Sequence, residues 1–351
     1  MPKIAIIGTT SWGITLGVLL ANKGQPVRLW ARTEQEAGKL RKNRPNPEQP
    51  HLTFPAKVSI TSSLEEALAD VKAVIFAVPS QTMRQNVKLV APYLTRSMLI
   101  ISAAKGLEIG SNKRMSQVIA EEINPRYQSN ICVLSGPNLS QEILTGLPAA
   151  TIVAAEDEEV AKVAQKLLVT PNLCVFTHTD VAGVELGGAL KNIIALGAGM
   201  ADGLSFGDNA KAAFITRGFT EIAALGVTLG ANPLTFSGLA GFGDLIATCA
   251  SGLSRNHYVG VELAKGRPLK EITESMSGVA EGITTTAAAL ALAREHGIAM
   301  PITEKIYQVL YEGADPRQAS EELMCAQAGH ELKGRKWQLF SFFRRRRRSQ
   351  V

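Results

Sequence analysis

Short apolar runs alternate with helical stretches along the first half of the chain. The runs are rich in β-branched residues and lie at residues 4–7, 27–30, 74–78, 99–102, 131–134 and 151–155. Strands that alternate with helices favour a mostly parallel sheet, because each crossover places a helix against one face of the sheet. The pattern therefore predicts an α/β, doubly wound N-terminal domain.

The pattern changes after residues 176–178 to long segments of Ala, Leu and Gly with few strand signals. Residues 181–200 are apolar and rich in glycine, which is typical of a central helix packed closely on all sides. We expect three parts: an α/β domain at residues 1–178, an all-helical domain at residues 179–333 and a disordered tail at residues 334–351. The prolines within residues 41–55 predict a surface loop.

The first apolar run leads directly into a turn with two glycines and then into an apolar helix. Such a G-x-G-x-x-G turn holds a pyrophosphate on the backbone N–H groups at a helix N-terminus, as in Rossmann-like domains. Thr10 stands at the middle glycine position, where it either shifts the dinucleotide or offers its hydroxyl to it. A tight turn without a ligand is the alternative. The residues expected to bind a dinucleotide here are Gly8, Thr10, Ser11, Trp12 and Gly13.

The end of the second apolar run bears on the choice of cofactor. An NAD site usually places Asp or Glu there to hold the ribose 2′-hydroxyl, but this chain has Arg32. A guanidinium can pair with a 2′-phosphate, so the sequence favours NADP(H) while NAD(H) is also accepted. An ordinary solvated arginine is the alternative interpretation of Arg32.

Polar residues in the helical half are candidates for chemistry. Lys191 lies in an otherwise apolar helix, where it either exchanges a proton as a desolvated lysine or reaches out to water. Asp244 follows two glycines at a predicted helix start and is either functional or a plain N-cap. Ser254, Arg255 and Asn256 group donors that suit a phosphate, although Arg255 alone could be a surface charge.

Charge and cysteine content narrow the function classes. The formal net charge is +6, but seven basic residues lie in the tail, which leaves 30 basic against 31 acidic residues elsewhere. The body of the protein therefore lacks a general attraction to nucleic acid. The four cysteines are far apart and without metal-ligand spacing, so we expect reduced, buried cysteines in a cytoplasmic protein and no metal. We also expect no signal peptide and no membrane-spanning segment.

Ordered motifs along most of the chain carry a family resemblance. They include residues 11–13 (SWG), 105–108 (KGLE), 134–137 (LSGP), 187–192 (GGALKN), 241–245 (GFGDL) and 254–256 (SRN). Over residues 3–324 the chain resembles the NAD(P)-dependent glycerol-3-phosphate dehydrogenases of the bacterial type. Three positions depart from that family's usual residues: Thr10 replaces Gly, Asn138 replaces Ser or Thr, and Ser140 replaces Ala.

The resemblance implies a role for each matching residue. The implied cofactor contacts are Ser11, Trp12, Arg32, Lys105, Ser140, Arg255, Val279 and Glu281. The implied substrate contacts are Lys105, Gly136, Asn138, Lys191, Asp244, Ser254, Arg255 and Asn256. The implied catalytic group comprises Lys191 as proton donor and acceptor, with Lys105 and Asp244 beside it. The helical domain is expected to resemble the C-terminal domain of 6-phosphogluconate dehydrogenase.

The implied reaction is the reversible reduction of dihydroxyacetone phosphate to sn-glycerol 3-phosphate, which supplies glycerophospholipid synthesis. Two alternatives remain: another two-domain nicotinamide enzyme, such as a hydroxyacid or 6-phosphogluconate dehydrogenase, and a non-catalytic NADPH-binding regulator. An apolar helical domain of this kind often forms a homodimer. The aromatic and arginine-rich tail is either solvated, bound to an anionic membrane surface or attached to RNA.

Overall fold

The computed structural model describes residues 2–42 and 53–325, with the side chains of residues 324 and 325 left out. The predicted loop at residues 41–55 is covered only at its ends, and the predicted tail at residues 334–351 lies outside the described residues. The structure confirms the expected fold class, a Rossmann-like sheet followed by helices. The proposed domain boundary after residue 178 falls between the last strand and a long helix.

The N-terminal part is built on one eight-stranded sheet. The strands are β1 (Lys3–Ile7), β2 (Val27–Trp30), β3 (Val58–Thr61), β4 (Val71–Phe76), β5 (Leu99–Ser102), β6 (Ile131–Ser135), β7 (Ala149–Ala154) and β8 (Leu173–His178). Their order is β3-β2-β1-β4-β5-β6-β7-β8, and all neighbours are parallel except β6 and β7. The order reverses direction between β1 and β4, the point at which open α/β sheets bind ligands.

Helices cover both faces of this sheet. They are α1 (Ser11–Asn22), α2 (Glu34–Lys42), α3 (Leu64–Leu68), α4 (Met83–Val90), α5 (Met115–Glu122), α6 (Ser140–Leu144) and α7 (Glu158–Leu168). Successive strand residues point to opposite faces, so Ile4 and Ile6 join one core while Ala5 and Ile7 join the other. Because both faces are buried, the central strands are continuous apolar runs.

The second part consists of helices joined by short loops, with no strand among its described residues. It comprises α8 (Val181–Gly203), α9 (Gly207–Thr228), α10 (Pro233–Phe236), α11 (Asp244–Ala250), α12 (Arg255–Ala264), α13 (Leu269–Ser275), α14 (Glu281–Glu295), α15 (Pro301–Tyr311) and α16 (Pro316–Cys325). Helix α8 lies at the centre and packs against α9, α11, α12 and α14. It is long and apolar enough to cross a membrane, but 83% of its apolar 18-residue stretch is buried inside the protein, as in a core helix.

The cysteine prediction is wrong at one position. Cys132 and Cys249 are buried free thiols, and burial raises the pKa of each to about 12. Cys174, in contrast, is exposed, because it lies on β8, whose side chains alternate between the core and solvent at the edge of the sheet. The side chain of Cys325 is not described.

Candidate active site

The candidate site residues of the sheet domain follow the carboxyl ends of neighbouring strands. Gly8 comes directly after β1, Lys105 comes three residues after β5, and Gly136 follows β6. Parallel strands bring these positions to one edge of the sheet, which faces α8 and α11 of the helical part. Residues that are distant in sequence therefore line one cleft.

The glycine turn has the close backbone packing that a pyrophosphate cradle requires. Gly8 has a φ of 106°, and a Cβ at this position would lie 2.6 Å from the carbonyl oxygen of Ala77. Thr10 is the N-cap of α1: its hydroxyl donates to the Ala77 carbonyl at 2.7 Å and accepts from the Gly13 N–H at 3.2 Å. The hydroxyl hydrogen of Thr10 is thus used in a bond to the residue that follows β4.

The turn also fits the anionic part of a dinucleotide. The first turn of α1 carries no acidic residue, and the N–H groups of a first helical turn lack intrahelical partners. Trp12 has a buried indole N–H to which no residue in the described part of the chain accepts a hydrogen bond. Ser11, Trp12 and Gly13, the predicted cofactor contacts, therefore form a helix N-terminus that suits an anion.

The carboxylate of Glu36 contacts both the glycine turn and the segment after β2, and the sequence analysis did not predict it. Arg32 follows β2 with an exposed side chain, and its backbone N–H donates to Glu36 Oε2 at 3.1 Å. The Thr9 hydroxyl donates to Glu36 Oε1. The usual NAD-binding acid lies at the end of the second strand, whereas Glu36 lies in the first turn of α2.

Three charged groups form the centre of the cleft. Lys105 Nζ lies 2.6 Å from Asp244 Oδ2, and Lys191 Nζ lies 3.0 Å from Asp244 Oδ1. The side chain of Lys191 is only 7% exposed and that of Asp244 only 3%. Lys191 therefore does not reach out to water, and Asp244 is not a plain N-cap. A single buried carboxylate holds two ammonium groups, an arrangement that leaves one net positive charge.

The pKa of Lys105 is well below that of an exposed lysine. Its pKa is lowered from 10.5 to about 8: burial is the largest cause and the charge of Lys191 adds to it, while the carboxylate of Asp244 opposes both effects. The Lys105 ammonium also donates to the Gly136 carbonyl at 2.7 Å. Lys105 is thus oriented by both domains.

The close approach of α8 explains how the cluster is assembled. A Cβ at Gly187 would lie 2.9 Å from the Ala240 carbonyl oxygen, and one at Gly188 would lie 2.2 Å from the hydroxyl oxygen of Ser135. These two glycines let α8 pack directly against the π-helical turn before Asp244 and against the end of β6. Lys191, one turn further along α8, then lies beside Asp244.

Thr248 completes the cluster and was not anticipated. Its hydroxyl accepts from Lys191 Nζ at 2.5 Å and donates to the Asp244 carbonyl at 2.7 Å. Residues four apart on a helix share one face, so the position of Asp244 at the start of α11 was a signal for Thr248. Asn192 was also missed as a site residue; its side-chain oxygen accepts from Asn256 Nδ2 at 2.9 Å.

The phosphate-binding candidates lie at the start of α12. Ser254 is the N-cap, and its hydroxyl accepts from the His257 N–H at 3.2 Å. Asn256 is buried and accepts from the Gly282 N–H at 2.9 Å. The exposed Arg255 passes over Gly278, where a Cβ would lie 2.1 Å from its guanidinium. Asn256 thus joins α12 to α8 and α14, and Arg255 presents a guanidinium at the N-terminus of α12.

The remaining predicted residues of the sheet domain lie near the end of β6. Asn138 Nδ2 donates to the Thr151 hydroxyl at 3.1 Å, and its Oδ1 is buried without a hydrogen-bond partner within the described residues. Gly136 packs against the backbone of the same Thr151. Ser140 is the first residue of α6, which packs against α1. The unpaired Oδ1 of Asn138 is available to a ligand hydroxyl.

Glu281 joins the two domains through Ser80. Its carboxylate accepts the Ser80 N–H at 2.9 Å and the Ser80 hydroxyl. Burial raises the pKa of this carboxyl, while the hydrogen bonds from Ser80 and the nearby Arg255 oppose the rise. Val279, two residues earlier, is 44% exposed. Ser80 was not anticipated, although it directly follows the end of β4 and the Val78-Pro79 pair.

A glycine turn after the first strand, together with a lysine–carboxylate cluster held between two domains, is typical of two-domain nicotinamide-dependent dehydrogenases. The family description "NAD-dependent glycerol-3-phosphate dehydrogenase" matches with its N-terminal part at residues 3–161 and with its C-terminal part at residues 180–321. The chain belongs to this family. The expected family, oxidoreductase class and dependence on NAD(P) are thereby confirmed.

Individual relatives agree with the family assignment. The chain is 64% identical over 349 residues to a glycerol-3-phosphate dehydrogenase [NAD(P)+] of Dehalococcoides mccartyi, covering 99% of this chain and 97% of the relative. It is 46% identical to the enzyme of that name from Moorella thermoacetica, covering 95% of this chain and 99% of the relative. The crystal structure of glycerol-3-phosphate dehydrogenase from Coxiella burnetii has a TM-score of 0.86 and 34% identity, covering 92% of this chain and 98% of that one.

Proposed function

We propose that the buried cluster of Lys105, Asp244 and Lys191 carries out proton transfer in the family reaction. The chain reduces dihydroxyacetone phosphate to sn-glycerol 3-phosphate with NAD(P)H and catalyses the reverse reaction. The observation that supports these roles is a pair of largely buried ammonium groups on one carboxylate, held between the sheet and the helical part. The same observation disfavours the non-catalytic regulator, which would have no use for two lysines in a costly environment.

Lys191 is the proton donor. The nicotinamide, when bound, supplies the hydride that reduces C2 of the substrate. As negative charge develops on the carbonyl oxygen, Lys191 Nζ stabilises the charge and transfers one proton to that oxygen, so that the product leaves as an alcohol. In the reverse direction the neutral lysine accepts the same proton. Asp244 and Thr248 hold Nζ in place through their contacts with it.

Lys105 contributes positive potential and Arg255 holds the remote phosphate. Lys105 lies on the same carboxylate as Lys191, so it attracts the substrate anion without carrying the transferred proton. Arg255, with Ser254 and Asn256 beside it, binds the phosphate at the N-terminus of α12. Binding energy from the phosphate then holds the reacting carbon in place.

Arg32 determines the preference for NADP(H) over NAD(H). Its exposed guanidinium at the end of β2 can pair with a 2′-phosphate, which favours NADP(H) over NAD(H). The remaining cofactor contacts are the turn from Gly8 to Gly13, Ser140, Val279 and Glu281. The position of Glu281, bonded to Ser80 after β4 and close to Arg255, supports its role.

The cellular setting follows from the reaction. We place the enzyme in the cytoplasm as a homodimer whose product supplies glycerophospholipid synthesis. The expected membrane contact of the tail falls outside the described residues and stays a prediction. Deletion of residues 335–351 tests it, since unchanged binding to anionic vesicles would contradict a membrane role for the tail.

Turnover assays with a matched pair of substrates test the proposed function. We expect oxidation of NADPH and NADH with dihydroxyacetone phosphate and a large loss with dihydroxyacetone, which lacks the phosphate. Arg255→Ala should raise KM for the phosphorylated substrate by about tenfold or more, the worth of a charge-assisted hydrogen bond. Arg267→Ala is the control, because Arg267 lies beyond the other end of α12 and pairs with Glu262. Equal activity with both substrates would overturn the proposed phosphate site.

A further inference from the structure

The Glu36 carboxylate lies between the two places that receive the adenosine half of a dinucleotide. One is the glycine turn, which Glu36 reaches through the Thr9 hydroxyl, and the other is the end of β2, which it reaches through the Arg32 N–H. In a Rossmann-like domain the pyrophosphate lies at the turn, and the ribose lies beside the end of the second strand. A group bonded to both places is therefore next to the ribose.

We propose that Glu36 determines cofactor specificity by replacing, from α2, the carboxylate that the end of β2 lacks. This inference rests on the proposed function in taking NAD(P)(H) as the ligand. Glu36 accepts the ribose 2′-hydroxyl of NAD(H), and it repels the 2′-phosphate of NADP(H). It thereby opposes Arg32, and the two residues together keep both cofactors usable.

The hydrogen-bonding capacity of Glu36 permits this role. A carboxylate has about four lone-pair sites, and the contacts with Thr9 and Arg32 use one on each oxygen. Each oxygen can accept one more hydrogen bond, as a ribose hydroxyl would supply. The two existing bonds also fix the direction of the side chain, so that its charge stays next to the ribose position.

A second carboxylate on the same helical turn provides a matched control. Glu34 lies two residues earlier on α2 and is directed to Arg41 Nη2 at 2.6 Å and to the Ser62 hydroxyl at 2.7 Å. Both acids lie in the first turn of α2, where a negative charge interacts favourably with the helix dipole. Substitution of either residue therefore removes one charge from the same turn, but only Glu36 touches the nucleotide turn and the end of β2.

Calorimetric titration of the full-length protein with adenosine fragments tests the proposal without using catalysis. The probes are adenosine 2′,5′-bisphosphate and adenosine 5′-monophosphate, together with NADPH and NADH. Glu36→Gln keeps the length and an acceptor oxygen, and it should shift the affinity ratio toward the 2′-phosphorylated probes by about tenfold or more, since a like charge has been removed at close range. Glu34→Gln should leave the ratio unchanged.

The outcomes separate this inference from the proposed function. An unchanged ratio in Glu36→Gln, or the same shift in Glu34→Gln, would overturn the role of Glu36. Thr9→Ala gives a second test, because loss of the bond that directs Glu36 should move the ratio in the same direction by a smaller factor. Fragment binding does not require the substrate, so a shifted ratio without turnover of dihydroxyacetone phosphate would contradict the proposed function alone.

Discussion

The two ends of the cleft use charge in opposite ways. At the reacting end, Lys191 and Asp244 are buried, Lys105 is largely buried, and the carboxylate binds both lysines across the domain boundary. At the adenosine end, Arg32 is exposed and Glu36 is only partly buried. Both ends carry cations and a carboxylate, and they differ mainly in solvent access.

Solvent access determines how much each charge is worth. A charge that has lost its hydration is costly unless its partners remain, so removal of one member of the buried cluster should have a large effect. An exposed charge is screened by water and salt, so its removal should change a preference more than a reaction. The buried end is therefore suited to chemistry and the exposed end to the choice between similar cofactors.

The largest expected effect is on the rate of the reaction. Lys191→Ala should lower kcat by about 10² to 10⁴-fold, the usual contribution of a general acid, while the protein remains folded. Steady-state assays with NADPH and dihydroxyacetone phosphate measure the loss. Lys162→Ala, which removes an exposed lysine on α7 that pairs with Glu158 and Glu159, should leave kcat unchanged. A kcat within a few-fold of wild type in Lys191→Ala would show that another group supplies the proton.

The next effect is on stability. Asp244→Asn leaves two buried ammonium groups without their carboxylate, and the free energy of unfolding should fall by about 3 to 5 kcal/mol. Urea denaturation of the variant and the wild type measures the change. Glu159→Gln breaks the exposed pair with Lys162 and should leave the free energy of unfolding nearly unchanged. Similar losses of unfolding free energy in Asp244→Asn and Glu159→Gln would show that the buried carboxylate stabilises the protein no more than an exposed one.

The pH dependence of substrate binding should show the shifted lysine. Lys105 is charged below its pKa of about 8 and becomes neutral as the pH rises through that value. If its charge attracts the substrate phosphate, KM for dihydroxyacetone phosphate should rise by up to about tenfold per pH unit above pH 8. Lys105→Arg should abolish this alkaline rise, because arginine stays protonated. An alkaline rise that persists in Lys105→Arg would assign it to another group.

The smallest expected effect concerns the contact between the domains. Ser80→Ala removes one of two hydrogen bonds to Glu281 and should lower the free energy of unfolding by about 1.5 kcal/mol, as for a hydrogen bond to a charged group. Ser62→Ala is the control, since its partner Glu34 is exposed. Denaturation curves of both variants measure the change. A larger loss of unfolding free energy in Ser62→Ala than in Ser80→Ala would contradict the greater importance of the buried hydrogen bond.

The elements that the sequence predicted best are the buried ones. The bounds of β2 and β5 agree with the apolar runs, whereas β3 and β8 were missed. These two strands form the edges of the sheet, where one side of each strand meets solvent and the apolar run is interrupted. A central parallel strand is apolar on both faces, which makes it visible in a sequence.

The sequence by itself determined the family, the doubly wound sheet, the helical second part and the candidate residues of the cleft. Only the tertiary structure decided which of two roles each polar residue takes. Lys191 proved to be buried against Asp244, 53 positions away, and Lys105 meets the same carboxylate over 139 positions. Glu36 was found only through its contacts with Thr9 and Arg32. The reason is physical: desolvation and charge pairing depend on neighbours from distant segments, which no local pattern contains.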